Sequence, residues 1–362
     1  MMSSASFLNH RLKGALFGLG AALLFGLTTP LIKIVLPNSE LLTVAGLLYV
    51  GAGIGLALLE IFFAPSVNEN SVSYQRETPL QKGDLSLLLG TIVAGGILGP
   101  ILMLYGLQRL SAVVGSLLLN LEAPLTVLLA VAIFREHLGK REVGAAVLIF
   151  AATGIFSYSP GEVHADWLGV MSMGGACLCW AVDNNLTQHL SHRNPLAVGK
   201  IKGLSAGGFT LMLSWVLGYE FPSITITITI LALGFVGYGV SVVLDIYALR
   251  ILGAAREAAF FATAPFIGAL AAVPILGERW AFEDYVAAAI MAVGVVLLMR
   301  EHHSHMHYHV GVEHDHVHTH TDPHHQHHHE EEVTEPHAHL HRHVPLRHEH
   351  AHASDLHHRH EH

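Results

Sequence analysis

The chain has 362 residues, 52% of them hydrophobic and only 13% charged, with a mean hydropathy of +0.47. Soluble domains carry about twice that share of charge, so the composition excludes an ordinary soluble globular protein and points to an integral membrane protein. The net charge of −9 is concentrated at one end: residues 301–362 hold 11 acids against 3 arginines, and the first 300 residues hold 17 acids against 16 lysines and arginines.

Residues 301–362 also hold 25 of the 30 histidines, so the chain reads as two objects, a membrane part and a polar tail. The N-terminal stretch "NHRLKGALFGLGAALLFGLTTP" has a basic start and an apolar run, the outline of a signal peptide. The internal repeat described below makes it a retained first helix.

A membrane helix needs roughly 20 mostly apolar residues. Ten such windows occur, at about 14–35, 41–63, 85–107, 110–134, 142–158, 167–188, 196–218, 228–249, 253–276 and 284–299. The stretch "ITITITI" at 224–230 alternates like a strand. It runs into the eighth window without a turn signal, and an open strand edge in lipid leaves backbone groups unpaired, so it is read as the approach to a helix. Cys177 and Cys179 stand about 200° apart on a helix, too divergent to pair, and read as small buried residues.

With the N-terminus inside, the inner loops receive 13 of the 16 lysines and arginines of the membrane part, and Lys33, Arg109 and Arg279 fall outside. The positive-inside rule therefore puts both termini, and the histidine tail, in the cytosol of a multi-pass protein of the inner (plasma) membrane.

The two halves resemble each other. "YGLQRLSAVVGSLLLNLEAPLTVLLAVAIFREHL" (105–138) matches "YALRILGAAREAAFFATAPFIGALAAVPILGERW" (247–280): Tyr-x-Leu-x-x-Leu, then Ala-Pro, then a Glu closing the apolar run. "GALFGLGAALLFGLTTP" from Gly14 likewise matches "GVMSMGGACLCWAVDNN" from Gly169. Five helices per half is odd, so the second copy inserts upside down, as in inverted-repeat secondary transporters with a site near the midplane. The expected fold class is thus an all-α membrane protein of ten transmembrane helices in two inverted five-helix repeats, 11–158 and 165–300, followed by a disordered cytosolic tail at 301–362.

The repeated Ala-Pro, short apolar run and Glu, with a small-residue-rich helix opening each half, resembles the EamA-like branch of the drug/metabolite transporter superfamily over residues 11–300. The resemblance implies ten helices, cytosolic termini and export or exchange of small organic solutes through a central cavity. It names no solute, and the tail lies outside the pattern.

An ionisable side chain within a span costs roughly 2.5 to 3.5 kcal/mol on insertion scales, so each needs a reason. Glu122 in "LLNLEAP" lies about 13 residues from Arg109, roughly 20 Å deep at ~1.5 Å per residue, near mid-membrane. Its counterpart in the second half is Thr263, so the scaffold does not demand the acid, and the position suits proton coupling. The bland alternative is a packing carboxyl hydrogen-bonded to Asn120 or a neighbouring helix. Asp183, Asn184 and Asn185, whose counterparts are Thr28, Thr29 and Pro30, could face a hydrated cavity and bind a cationic or amino-bearing solute, or sit among headgroups at the helix end.

Asp245 is expected to pair with Arg250 or Arg256 as a structural ion pair or gate, and Glu257 to cap the ninth helix. Trp180, Tyr105 and Tyr247 read as cavity walls or as packing and interface anchors. Glycines at four-residue spacing, Gly14/Gly18, Gly51/Gly55 and Gly203/Gly207, permit close helix contact, and one such face could make a homodimer.

In the tail, "HDHVHTHTDPHHQHHHEEE" (314–332) offers His314, His316, His318, His320, His324, His325, His327, His328 and His329 as ligands for zinc, nickel or cobalt. The membrane part shows no His or Cys constellation to match. The reading is therefore a secondary exporter of a small organic solute, an amino acid derivative, metabolite or metal chelator, with a metal-binding tail and no required cofactor. The alternative is a divalent nickel, cobalt or zinc transporter. The lipid bilayer, the solute and transition-metal ions are the expected partners. No nucleophile and base pairing, phosphate loop or nucleotide motif is present, which argues against an enzyme, and nothing points to nucleic acid.

Overall fold

The computed structural model describes residues 4–63, 80–134, 140–158, 166–190, 193–252, 254–299, 303–309, 313–318, 337–342 and 346–352. Up to residue 299 the described chain is helical, in ten rods. Helix one is Ser4–Val35, helix two Leu41–Phe63, helix five Lys140–Tyr158, helix six Trp167–Gln188, helix seven Pro195–Val216 and helix ten Phe282–Met299.

The other four rods are interrupted. Helix three runs Leu85–Thr91, a π-helical stretch Ile92–Leu98, then Gly99–Arg109; helix eight runs Ile224–Gly234, a π-helical stretch Phe235–Val240, then Ser241–Leu252. Helix four is Ala112–Leu118, a 3-10 turn Leu119–Leu121 and Glu122–Phe134; helix nine is Ala254–Phe261 and Ala264–Leu276. Each interruption in the first half has a partner at the matching place in the second. Ile224–Gly234 contains the "ITITITI" stretch as regular helix, as the absence of a turn signal requires.

Helices one, two, three, four, eight, nine and ten are long and apolar enough to cross a membrane. Helices five, six and seven carry polar groups: five opens with Lys140, Arg141 and Glu142, six contains Asp183, Asn184 and Asn185, and seven contains Lys200 and Lys202. They pack against the apolar rods, five on ten, six on three and four, and seven on two.

Starts are fixed by side-chain caps. Ser111 accepts the N–H of Val114, Asp166 that of Leu168 and Asn194 that of Ala197, with Pro195 following Asn194 where its missing N–H costs nothing. Helix four gains a second cap from far away in sequence. The Glu278 carboxylate accepts the N–H groups of Ala112 and Val113 at 2.8 and 2.9 Å, so the Glu that closes the apolar run after helix nine serves the other half. From the opposite side Lys33 donates to the carbonyls of Leu107, at 2.7 Å, and Leu110, closing the end of helix three.

Pairings come in matching sets. Helix one packs on eight and nine, as six packs on three and four; two packs on seven; five packs on ten; four packs on nine. The buried core between them includes Ile32, Leu48, Met103, Leu117, Met173 and Met291. Leu16, Leu89, Trp215, Ile224 and Phe282 lie exposed on the outside, the belt a bilayer would cover.

The three glycine pairs are consumed within the chain. A Cβ at Gly14 or Gly18 would meet Ile251 or Phe260, one at Gly51 or Gly55 would meet Leu231 or Phe235, and one at Gly203 or Gly207 would meet Gly53 or Val50. No dimer face is left to them, because small residues let the backbones of helices one, two and seven approach their neighbours.

In the tail, strand β1 (His303–His309) pairs antiparallel with β4 (Leu346–His352), and β2 (Glu313–His318) with β3 (His337–Arg342). Alternate-position histidine has the period-two pattern of an extended strand. His314, His316 and His318 stand opposite His341, His339 and His337. His320, His324, His325, His327, His328 and His329 lie outside the described residues.

Candidate functional site

The site lies where helix six crosses helices three, four and seven. Asp183, Asn184 and Asn185 occupy successive positions on helix six, so their side chains fan out at ~100° intervals towards different neighbours. Asp183 is buried at 5% exposure and forms an ion pair with Lys202 of helix seven. Thr187, one turn on, donates to its other oxygen at 3.4 Å.

Asn184 turns to helix four, where it donates to Glu122 Oε1 at 2.8 Å and reaches Thr126 Oγ1 at 3.5 Å. Asn185 is buried at 4% exposure and binds the Thr126 carbonyl at 3.1 Å and the Ala181 carbonyl at 2.8 Å. The acid and amides therefore do not face one cavity together. Asp183 is already neutralised by Lys202, and Asn184 is the member of the trio that meets Glu122.

Glu122 is half-buried and opens the second segment of helix four, just after the 3-10 turn. Asn120 is not its partner, since Asn120 Nδ2 turns back to the Leu117 carbonyl at 2.9 Å. The helix start supplies a positive dipole end beside the carboxylate. Thr263, the counterpart in helix nine, stands at the matching break and donates its hydroxyl to the Phe260 carbonyl instead.

The π-helical stretch of helix three forms the wall opposite Asp183. Its Gly95 carbonyl accepts the Tyr49 hydroxyl at 2.7 Å and Trp180 Nε1 at 3.1 Å. A Cβ on Gly95 would come within 2.1 Å of Asp183 Oδ2, so only glycine admits the carboxylate there. Trp180 is buried and stacked over Gly99, and acts as a packing anchor rather than an open wall. In the second half Gly237, in the π-helical stretch of helix eight, faces Thr28 of helix one in the same way.

Asp245 is the acid expected to pair with Arg250 or Arg256. It lies where helix eight meets helix nine, and its Oδ1 is buried with no hydrogen-bond partner among the described residues. The Arg250 side chain lies outside the described residues, and Arg256 is exposed. Glu257 stands in the first turn of the Ala254–Phe261 segment, where a carboxylate meets the positive end of the helix. Tyr105 and Tyr247 share a register but not a role: Tyr105 stacks under the Arg109 guanidinium at 4.5 Å, and Tyr247 packs on Phe17 at 5.7 Å.

Outside the spans, Arg109 donates to Asp166 at 2.5 Å, and with the Leu168 N–H it holds the Asp166 carboxyl below the usual carboxylate range. Sequence reasoning missed Lys202, Tyr49, Thr126 and Gly95. Lys202 was legible, since it falls inside the seventh window and the argument applied to the intramembrane acids applies to it too. Among the described residues no group of three or more His, Cys, Asp and Glu side chains is placed to hold a metal ion.

The profile of the EamA-like transporter family matches residues 12–158 and again residues 167–300. An "uncharacterized transporter" of Methanothermobacter thermautotrophicus (strain Delta H) is 28% identical over 299 residues, covering 80% of this chain and 87% of its own. A solved structure titled "Crystal structure of protein" superposes with a TM-score of 0.55 at 16% identity, covering 78% of this chain and 94% of that one, and it speaks to the fold alone. With apolar rods of spanning length and a profile matched in both halves, the chain is a multi-pass membrane transporter, not an enzyme, and belongs to the EamA-like transporter family.

Proposed function

We propose that the chain is a secondary exporter of a small organic solute bearing an amino group, an amino acid derivative or related metabolite, driven by proton exchange through Glu122. The carrying observation is the partner of Glu122: a neutral amide, Asn184 at 2.8 Å, with no ion pair to Glu122 among the described residues. A carboxyl in that setting can take up and release a proton, or trade it for an ammonium group, without breaking a salt bridge. Asp183 is tied to Lys202 and sets the local charge balance. A Lys beside two acids suits a solute that carries both an amine and an anionic group.

The paired helix breaks and matching contacts support a reading as two inverted repeats with the site between them, both termini cytosolic in the inner membrane. The facing positions of His314 and His341, His316 and His339, and His318 and His337 support metal binding by the tail, for zinc, nickel or cobalt. The tail then buffers or senses metal beside a membrane part that moves an organic solute.

The test is proton flux in proteoliposomes challenged with a panel of amino acids and amines. Wild-type protein couples proton movement to at least one of them, and Glu122→Gln abolishes that coupling while retaining solute binding. Equal proton flux from Glu122→Gln removes the mechanism. Metal flux without any organic solute replaces the substrate class.

A further inference from the structure

Residues 99–118 form a helical hairpin bounded by two irregular stretches of backbone. It begins after the π-helical stretch Ile92–Leu98, turns over at Leu110 and Ser111, and ends at the 3-10 turn Leu119–Leu121, next to Glu122. Interruptions of this kind are where helices bend. The tip of the hairpin is held by two charged side chains from other rods. Lys33, in the last turn of helix one, donates to the carbonyls of Leu107, at 2.7 Å, and Leu110. Glu278 follows Gly277, whose φ of 70° turns the chain out of helix nine, and accepts the N–H groups of Ala112 and Val113 at 2.8 and 2.9 Å.

The two flanks of the hairpin differ. Toward helix six it is bound by shape and charge: Gly106 lies against Met173, Gly169 against Leu110, and Arg109 pairs with Asp166. Toward helix nine, below the tip, the Ser116 side chain lies against Gly268, and its hydroxyl is fully buried with no hydrogen-bond partner among the described residues. A buried hydroxyl left unpaired favours any arrangement in which water reaches it. This second flank is the one that Lys33 and Glu278 close.

The groups they hold are helix ends, carbonyls at the close of helix three and N–H groups at the start of helix four, and water satisfies such groups when a side chain withdraws. The contact therefore opens without stranding backbone. Ser111 already caps helix four locally through the Val114 N–H, so Glu278 adds a tie between rods to a helix that has its own cap. In the register that pairs Gly14 with Gly169, Gln188 occupies the position of Lys33, so the shared scaffold does not demand a cation there.

We infer that Lys33 and Glu278 form a clasp that holds the 99–118 hairpin shut against helices one and nine, and that its release lets the hairpin swing with the start of helix six and admits water between helices four and nine. The hairpin bends at 92–98 and 119–121, so its motion reaches Glu122 through the seven residues Ala112–Leu118. Helices one and nine pack on each other, so the freed ammonium and carboxylate, opposite in charge, stay neighbours and pair with each other. The access path closed in this way is the one proposed above for Glu122, but the clasp stands or falls without proton exchange there.

The test uses the full-length chain in lipid nanodiscs with no solute added, carrying Cys177→Ala and Cys179→Ala so that a single reporter thiol reacts with a water-soluble maleimide. Ser116→Cys reads the flank beneath the tip, and Ser214→Cys, buried between helices two and seven, reads general loosening. With the clasp intact both react slowly. Lys33→Met and Glu278→Ala are each expected to raise the Ser116→Cys rate severalfold and leave the Ser214→Cys rate unchanged, while Lys33→Arg, which keeps the donor, stays near the wild-type rate. The exchange Lys33→Glu/Glu278→Lys keeps the pair of the open state but offers neither helix end its partner, so it should react fastest of all. Ser116→Cys rates that ignore these substitutions overturn the clasp. So do rates that rise equally at both reporters, since they make Lys33 and Glu278 ordinary supports of the fold. The labelling needs neither a solute nor a proton gradient, so failure of Glu122→Gln to alter flux leaves its outcome unchanged.

Discussion

The two π-helical stretches sit at matching places in the two halves but face different partners. In helix three Gly95 admits Asp183, which is ion-paired to Lys202; in helix eight Gly237 admits Thr28, whose hydroxyl bonds back to the Leu24 carbonyl of its own helix. The same backbone device thus receives a charge-bearing contact in one half and a self-satisfied hydroxyl in the other. The same asymmetry recurs at the helix breaks, where Glu122 has Thr263 as its counterpart, and is reversed before the corner of helices eight and nine, where Asp245 has Met103 as its counterpart. At these three places the two halves differ by an ionisable residue on one side.

The contrast is broken most severely at Lys202. Lys202→Met leaves Asp183 buried and uncompensated, which costs about 3–5 kcal/mol for a buried pair losing one partner. Thermal unfolding in detergent should show a large loss, and adding Asp183→Asn should restore most of it. Should Lys202→Met melt like wild type, the ion pair is not a structural element of the first-half site.

Next in size is a matched pair of substitutions. Gly95→Ala places a methyl 2.1 Å from Asp183 Oδ2, which Lys202 holds in position, whereas Gly237→Ala meets Thr28 Oγ1 at 2.0 Å, a group that rotation of one bond can withdraw. Gly95→Ala should cost about 1–3 kcal/mol, as overpacking does, and Gly237→Ala should cost less. Equal losses in thermal stability would mean that the Asp183 contact is as adaptable as that of Thr28.

A smaller effect is expected from Glu278→Ala. The carboxylate caps the N–H groups of Ala112 and Val113, and losing such a cap costs about 0.5–2 kcal/mol. Hydrogen exchange should rise at the start of helix four and not in helix nine. A uniform rise would place the role of Glu278 elsewhere.

The smallest is the exposed pair of Arg109 and Asp166. Its hydrogen bonds lower the Asp166 proton affinity in the folded state, so its stabilisation is present above the ordinary carboxylate range and is lost as pH falls through the lowered value. Arg109→Ala should melt slightly below wild type at neutral pH and together with it in strong acid. A gap that widened in acid would have the wrong sign for this pair.

The rods were legible because a bilayer demands length and apolarity, and both can be read off a chain. "ITITITI" shows the limit of pattern alone: its period of two is a strand signal, and the cost of unpaired backbone in lipid overrides it. The glycines at 95, 96, 237 and 239 were visible as small residues, but nothing in them announces a π-helical register. At the site, Glu122, Asp183 and Asp245 were found because buried charge is expensive. The pairings of the first two were not, because Asn184 and Lys202 are joined to Glu122 and Asp183 only by the crossing of helices. Lys202 was taken as a mark of the inner face, and its depth in helix seven became evident only with Asp183 against it.

Each π-helical stretch also bears on deletion. Removing one residue between Ile92 and Leu98 would let the backbone relax into an ordinary helix with its ladder intact, yet rotate everything from Gly99 to Arg109 by about 100°. Trp180 would lose its seat on Gly99, Met103 would swing out of the core, and Arg109 would swing away from Asp166, all with the backbone ladder of the helix intact. By the criterion of backbone bonding such a shortened chain is sound, and by the criterion of which face each side chain presents it is a different protein.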